Sequence, residues 1–420
     1  MKILIWDMFE LNNTGGPSGY LYNIHSYLKD NPNPSVVFLS DLINNNRAPV
    51  RLTQSVNFNN NTDSTAHSVR NKIWRRILSF LNSFPKAKAY ITKIFDYLYK
   101  IWHLKWTISI LSEELSCFDC IHFHFLFHVR QFTNTFPRYK GLKILTTHSP
   151  CPWTDEIIDT DKSLRILRPF LIRQECKSFK NADFIMFPCL QAKEPYYHNR
   201  RIRKTLIEME DKTFYVPTSL ITLSLENTQI PNRKQYNIPD SAIVAGFFGR
   251  HNHIKGYDIL KDIAVTALDN CPNLYFLIAG SGNIQPIDHP RWIELGYISN
   301  VKETMEICDL YLLPNRETYF DIVMLEALRA GLITLISDTG GNKFFKTLPS
   351  TQTDGIYYFD INNKESAIGH LEDLHTLKET NPAIFAKMKD NNRTLFEHYF
   401  TIKTYVENYT KEINKIAFTS

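Results

Sequence analysis

Two cations and one acid carry the clearest chemistry in this 420-residue chain. The stretch FFGRHNHIKGYDIL sets Arg250 and Lys255 five residues apart on a glycine-bounded turn, between a run that reads as a strand and one that reads as a helix. A guanidinium and an ammonium beside the free N–H groups of a helix start make an anion site. A diphosphate suits it, because both cations would stabilise the charge that develops as its bond breaks. Basic residues near turns are also common on solvated surfaces, so the pair does not decide the matter alone. ETYFDIVMLEALRAG, residues 317–331, adds the acid. Phe320, Val323, Met324, Ala327 and Leu328 recur at helical spacing and put Glu326 on a helix of about three turns. The preceding DLYLLPN reads as a buried strand, and a strand feeding a helix through a short turn is where open α/β sheets bind ligands. The plain alternative is a solvated or capping carboxylate.

Three further motifs stand at similar turns. GGPSGY, Gly15 to Tyr20, follows the first strand and precedes a helix, and its glycines allow a ligand close to the backbone. KILTTHSP ends a strand at His148, on the carboxyl edge where ligands of such sheets bind. CFDCIHFHF offers Cys117, Cys120, His122 and His124, but the spacing is wrong for the usual zinc fingers, and strand alternation puts His122 and His124 on one face. No metal site is expected. Either histidine is available to face a cleft, and the sequence does not separate them.

The elements that must position these groups form two series. KILIWD, SVVFLS, CIHFHFLF, KILTTH, DFIMFP and TFYVP alternate with helical or polar stretches through residue 217, a βαβ rhythm. Residues 44–68 form an Asn-rich polar loop with seven asparagines, and a helical insertion spans 70–114. Residues 218–241 lack a sustained period and read as a linker. The second series, 242–382, runs AIVAGFFG, NLYFLIAG, RWIELGYI, DLYLLP, LITLISD and GIYYFD, with helices expected near 256–268, 300–308 and 321–330. The spacing predicts two doubly wound α/β domains facing across a cleft. The last segment, 383–420, reads as a long helix, over about 383–416, that packs back toward the first domain.

Taken in order with IAGSGN, ELGYISN, LPNRETYFDIVMLEALRAG and SDTGGN, the GR…KG turn resembles the family 4 glycosyltransferases. These are retaining nucleotide-sugar enzymes of the GT-B fold, with two Rossmann-like domains. The resemblance is specific over roughly 243–345 and looser over 1–217. It implies that Arg250 and Lys255 hold the donor diphosphate and that Glu326 holds the ribose hydroxyls, which a carboxylate accepts together. It places Gly15, Gly16 and His148 near the transferred sugar, and Tyr297, Ile298, Phe320 and Ile322 along the donor, the base being read through backbone groups near GYIS. UDP donors are favoured over GDP donors, with no metal required. The acceptor would attack from the leaving-group face, so His148 orients the sugar and is not the principal base. One departure stands out. The position usually held by the family's first Glu is Thr318, with Glu317 one residue earlier, and Asp321 stands where glycine is common. Either Glu317 or Thr318 reaches the sugar. For Asp321, capping the helix is favoured over facing the phosphate.

The composition bounds the remaining classes. Apolar residues at 43% with 22% charged describe an ordinary globular chain, and seven cysteines within mostly apolar runs fit a reducing compartment better than a disulfide framework. MKILIWDMFE meets Asp7 and Glu10 too early for a signal peptide, and no apolar run approaches the ~18–20 residues of a spanning helix. A cytoplasmic protein is expected. Its +5 charge is unevenly spread: residues 70–106 hold nine Lys/Arg against Asp96 alone, with three Trp, three Phe and three Tyr. That makeup suits a helix pair at an anionic membrane surface and predicts peripheral binding at its inner face. The aromatics of an ordinary core insertion are the alternative. Nothing else supports a nucleic-acid partner. A lipid-linked or glycan acceptor in cell-surface polysaccharide assembly fits best, against a rival from another class: a GT-B-like protein without catalysis that binds or stabilises an active transferase.

Overall fold

The computed structural model describes residues 1–8, 10–12, 16–45, 112–222 and 230–419. Gly15, the polar loop beyond Asn45 and the basic segment 70–106 lie outside them. Strands β1 (Ile3–Trp6), β2 (Val36–Phe38), β3 (Cys120–Phe123), β4 (Leu142–Leu145), β5 (Phe184–Phe187) and β6 (Thr213–Tyr215) form one parallel sheet in the order β2-β1-β3-β4-β5-β6. The second comprises β7 (Ile243–Phe248), β8 (Leu274–Ala279), β9 (Trp292–Glu294), β10 (Leu310–Leu313), β11 (Ile333–Ser337) and β12 (Ile356–Phe359), ordered β12-β11-β10-β7-β8-β9. All residues of β1, β3, β7, β10 and β11 are buried. Helices cover both faces, which is why these strands appear in the sequence as apolar runs without alternation.

The strand orders place the site. β7 has β8 on one side and β10 on the other, and β1 is flanked in the same way by β2 and β3. Crossovers diverge at each of these points, leaving a crevice at the carboxyl ends of the strands where ligands of such sheets bind. The turns after β7 and β10 carry Arg250, Lys255, Glu317 and Asp321. The turns after β1, β3 and β4 carry Gly16, His124 and His148.

The domains are joined by two chain crossings that pair with each other. The final segment is a pair of helices, Pro382–Tyr399 and Ile402–Thr419, where the sequence reads as one. The break follows from tertiary bonding: Leu220 N–H donates to Phe400 O at 2.9 Å, and Ile402 N–H donates to Leu220 O at 2.8 Å. Thr401 Oγ1 then accepts from Thr404 N–H at 3.3 Å and restarts the helix. Tyr405, Tyr409 and Ile413 of the last helix bury against Ile3, Ile5 and Tyr20 of the N-terminal domain. Each such side chain contributes about 1.5–3 kcal/mol of burial.

The second half of the linker belongs to the C-terminal domain. Arg233 donates to Ile307 O and to Asp309 Oδ2, both at 2.9 Å, and Lys378 donates to the same carboxylate oxygen at 2.9 Å. Asp309 is buried, so this pairing anchors the chain just before β7 enters the sheet.

Candidate active site

The KG turn is held against the loop after β10. Gly256 has φ +63°, and a Cβ there would lie 1.8 Å from Pro314 O, so only glycine lets the two loops meet. Next to it, Lys255 Nζ lies 2.5 Å from Asp321 Oδ2, and Asn315 Nδ2 donates to the same oxygen at 2.5 Å. Arg316 adds a two-pronged bond to Asp258, at 2.7 Å on each prong, which ties this loop to the helix Tyr257–Asn270. Arg250 is exposed, and its guanidinium has no hydrogen bond or ion pair among the described residues. The turn thus presents one free cation and one paired with an internal acid.

Asp321 corrects an expectation. It occupies the N-cap position of the helix Ile322–Arg329, yet its side chain makes no cap hydrogen bond. Lys255 and Asn315 hold the carboxylate away from the helix N–H groups, leaving that helix start without a side-chain cap.

Glu326 sits one turn into the same helix, half-buried, and its carboxylate has no hydrogen bond or ion pair among the described residues. Burial raises its pKa above the ordinary carboxylate value, while the charges of Arg329 and Lys302 oppose the rise. Glu317 and Thr318 diverge. Glu317 is 26% exposed and its Oε1 lies 3.5 Å from His198 Nδ1 of the N-terminal domain. Burial raises its pKa too, against the pull of His198. Thr318 is fully buried, its hydroxyl 3.4 Å from that of Thr339. Gly340 explains the burial: a Cβ there would lie 2.3 Å from Thr318 O, so the SDTGGN loop packs directly over the threonine.

The other residues named from the sequence are dispersed. The Phe320 ring is buried among Phe344, Phe345 and Phe400, with centroids at 5.4, 5.7 and 6.1 Å, so only its backbone is free to meet a ligand. Ile322 is half-buried against the domain cores. Tyr297 is 75% exposed, and Ile298 is half-buried beside it. Gly16 has φ +62° at the first position of the helix Gly16–Asp30, with open space where a Cβ would be.

The N-terminal domain contributes a histidine cluster. His122 is fully buried and spent on structure: Nδ1 meets the Tyr409 hydroxyl at 2.8 Å and Nε2 meets Thr146 Oγ1 at 2.9 Å. His124 lies on the same face, the two rings 4.1 Å apart. Its Nδ1 meets His148 Nε2 at 2.8 Å, and its Nε2 is buried without a hydrogen bond. His148 has φ +56°, a left-handed conformation rare outside glycine, which turns its ring between Tyr20 and Tyr319 at 4.6 and 6.4 Å. Burial holds its pKa down to about 3, so the imidazole is neutral at physiological pH.

Several groups at the domain junction carry no sequence signal. Tyr319 of the C-terminal domain also packs on Phe187 of the N-terminal domain, at 5.9 Å. Glu194 reaches across to Lys343 at 2.6 Å and accepts from Gly340 N–H at 3.1 Å. These partners stand 149 and 146 residues apart in the chain, so no local pattern links them.

Comparison with known proteins adds to this geometry. Residues 242–374 match a family model described as Glycosyl transferases group 1. A 123-residue stretch is 26% identical to the O-antigen biosynthesis glycosyltransferase WclY of Escherichia coli, covering 27% of this chain and 34% of that protein. A 130-residue stretch is 29% identical to the D-inositol 3-phosphate glycosyltransferase of Stackebrandtia nassauensis, covering 26% and 29%. The match therefore spans about a third of the length of these curated relatives. Among solved structures, Anabaena HepE in complex with UDP superposes with a TM-score of 0.58 at 14% identity, over 99% of this chain and 100% of that one. Sucrose-phosphate synthase from Thermosynechococcus elongatus gives 0.59 at 14% identity over both whole chains. The protein has the two-domain Rossmann-like GT-B fold, and its C-terminal domain carries the sequence pattern of the group 1 glycosyl transferases.

Proposed function

We propose that this chain is a retaining glycosyltransferase that moves a sugar from a nucleotide diphosphate donor. The observation that carries the reading is that the turns and helix beside the crevice between β7 and β10 carry a cation, Arg250, and a carboxylate, Glu326, each without a hydrogen bond or ion pair among the described residues. Arg250 and Lys255 would take the diphosphate, with the uncapped start of Ile322–Arg329 supplying N–H groups. Glu326 would accept from both ribose hydroxyls. His148, neutral and fixed by His124, would orient the sugar while the acceptor attacks on the leaving-group face and passes its proton to the departing phosphate. With Arg250 and Lys255 both assigned to the leaving group, the reading requires no metal.

HepE is described in complex with UDP and with UDP-glucose, which supports a UDP donor here, with GDP as the second choice. The O-antigen assignment of WclY supports a glycan or lipid-linked acceptor in cell-surface polysaccharide assembly. Among the described residues no helix is long and apolar enough to cross a membrane. The basic aromatic segment 70–106 would instead bring a cytoplasmic enzyme to anionic lipid at the inner face, since each cation near such a surface adds ~1 kcal/mol. Co-sedimentation with anionic vesicles should be lost when Arg70, Lys72, Arg75 and Arg76 become Gln, with donor hydrolysis intact. Equal sedimentation of both proteins would leave a soluble acceptor.

One observation favours a non-catalytic partner of another transferase: Thr318 is buried, and Glu317 is turned toward His198. Slow hydrolysis separates the two readings. Incubation with UDP-glucose and a panel of other nucleotide sugars should release nucleotide; thermal stabilisation without any release would favour the partner role.

A further inference from the structure

We propose that Asp321 is a specificity-determining residue of the donor site, an internal counter-charge that selects the nucleotide sugar over the spent nucleoside diphosphate. The inference rests on the donor-site reading above and concerns what this chain adds to it. Asp321 is placed to cap the helix Ile322–Arg329 and does not. Its Oδ2 instead accepts from Lys255 and Asn315, each at 2.5 Å. Asn315 is itself fully buried, and its backbone carbonyl is fixed by Ser337 Oγ at 2.6 Å and Thr339 Oγ1 at 3.1 Å. A rigid neighbour therefore holds the acid at the cation, and the Lys255–Asp321 pair is only 18% and 11% exposed. Solvent screens such a pair weakly.

A diphosphate that takes Lys255 must share it with this carboxylate. The two anions then meet across one ammonium, and the repulsion grows with the charge of the incoming group. A sugar ester of a nucleoside diphosphate carries one ionisable oxygen fewer than the free diphosphate, whose last ionisation falls near ~6 as for other phosphate monoesters. Above that pH the product carries the extra charge and suffers the larger repulsion. Asp321 thus weakens product more than donor and speeds clearance of the site after transfer. The discrimination acts through charge at the leaving group and is independent of the base.

The test is calorimetric titration at pH 8 of UDP and UDP-glucose, and in parallel of GDP and GDP-mannose, into wild type, Asp321→Asn and Lys255→Ala. In Asp321→Asn, which keeps the size and loses the charge, the free diphosphate should tighten about tenfold, equal to ~1.4 kcal/mol. The sugar nucleotide should tighten only about threefold, having one charge fewer to repel. Asp321→Ser serves as a second uncharged variant, and thermal unfolding checks both folds. Weaker binding of both ligands in these variants would overturn the proposal and make Asp321 a residue that positions Lys255. Equal tightening of both would overturn the selectivity. Lys255→Ala must weaken the free diphosphate; if it does not, or if wild type binds none of the four ligands, the donor-site reading itself falls, a failure distinct from either outcome with Asp321.

Discussion

Glu194 of the N-terminal domain grips Lys343 of the C-terminal domain with both carboxylate oxygens, at 2.6 and 2.8 Å, while also accepting from Gly340 N–H at 3.1 Å. The bridge lies where the SDTGGN loop covers Thr318, so it joins the wall of the candidate site to the opposite domain. Its side chains are 44% and 32% exposed, and pairs this open contribute ~0–1 kcal/mol. Glu194→Gln should therefore leave the unfolding free energy within about 1 kcal/mol of wild type. The same variant should enlarge the radius of gyration in X-ray scattering as the cleft loosens. A loss of several kcal/mol with unchanged scattering would make the bridge a folding contact.

Arg250 and Lys255 should separate function from stability. Either alanine variant should lose ~10²-fold or more in turnover, the scale of removing one preorganised charge from a leaving group. Arg250→Ala should melt with wild type, because its guanidinium is exposed and has no hydrogen bond or ion pair among the described residues. Lys255→Ala should cost about 1–3 kcal/mol, because among the described residues it leaves the half-buried Asp321 with Asn315 as its one remaining side-chain partner. Near-normal turnover in either variant at saturating donor would remove the diphosphate assignment.

Glu317 and Thr318 make a second pair. Glu317 keeps partial access to solvent beside His198, whereas the Thr318 hydroxyl is enclosed with Thr339. Glu317→Gln should then lose far more donor hydrolysis than Thr318→Val, whose effect should be confined to stability and stay near ~1 kcal/mol. The reverse ranking would give the sugar contact to Thr318.

Two buried groups should give opposite pH responses. The pKa of His148 is pulled down to about 3, so below its ordinary value the unfolded chain takes up a proton that the folded one does not, and stability falls as pH falls toward 3. Glu175 accepts from Trp153 N–H, Thr154 N–H and Thr154 Oγ1, yet burial outweighs these bonds and pushes it up to about 7. Between its ordinary value and 7 the folded chain keeps a proton that the unfolded chain releases, so this contribution falls as pH rises, by on the order of 3 kcal/mol in all. Urea unfolding from pH 5 to 8 should show Glu175→Gln gaining on wild type as pH rises. A constant difference across that range would refute the shift. Donor hydrolysis should show no inflection from His148 between pH 6 and 8.

The sequence by itself determined both sheets. The twelve apolar-rich runs contain the twelve strands of the described residues, because a strand covered on both faces is largely apolar and therefore stands out without its neighbours. It also determined where charge stands beside the crevice, since Arg250 and Lys255 lie in the strand-to-helix turn after β7 and Glu326 lies in the helix that follows β10, positions fixed by local spacing. Only the tertiary structure decided what those groups face. Asp321 at an N-cap would bond its own helix, but Lys255, 66 residues away, outcompetes the cap through charge. His122 and His124 are equivalent by alternation, and it is Tyr409 of the last helix that satisfies one while His148 takes the other. The break at Phe400 likewise depends on Leu220, a partner 180 residues distant that no helical period in 383–416 encodes. Local pattern reports what a segment buries. Which charge or hydrogen-bonding group completes a side chain depends on segments far away in the chain, so that choice is made only when those segments pack together in the tertiary structure.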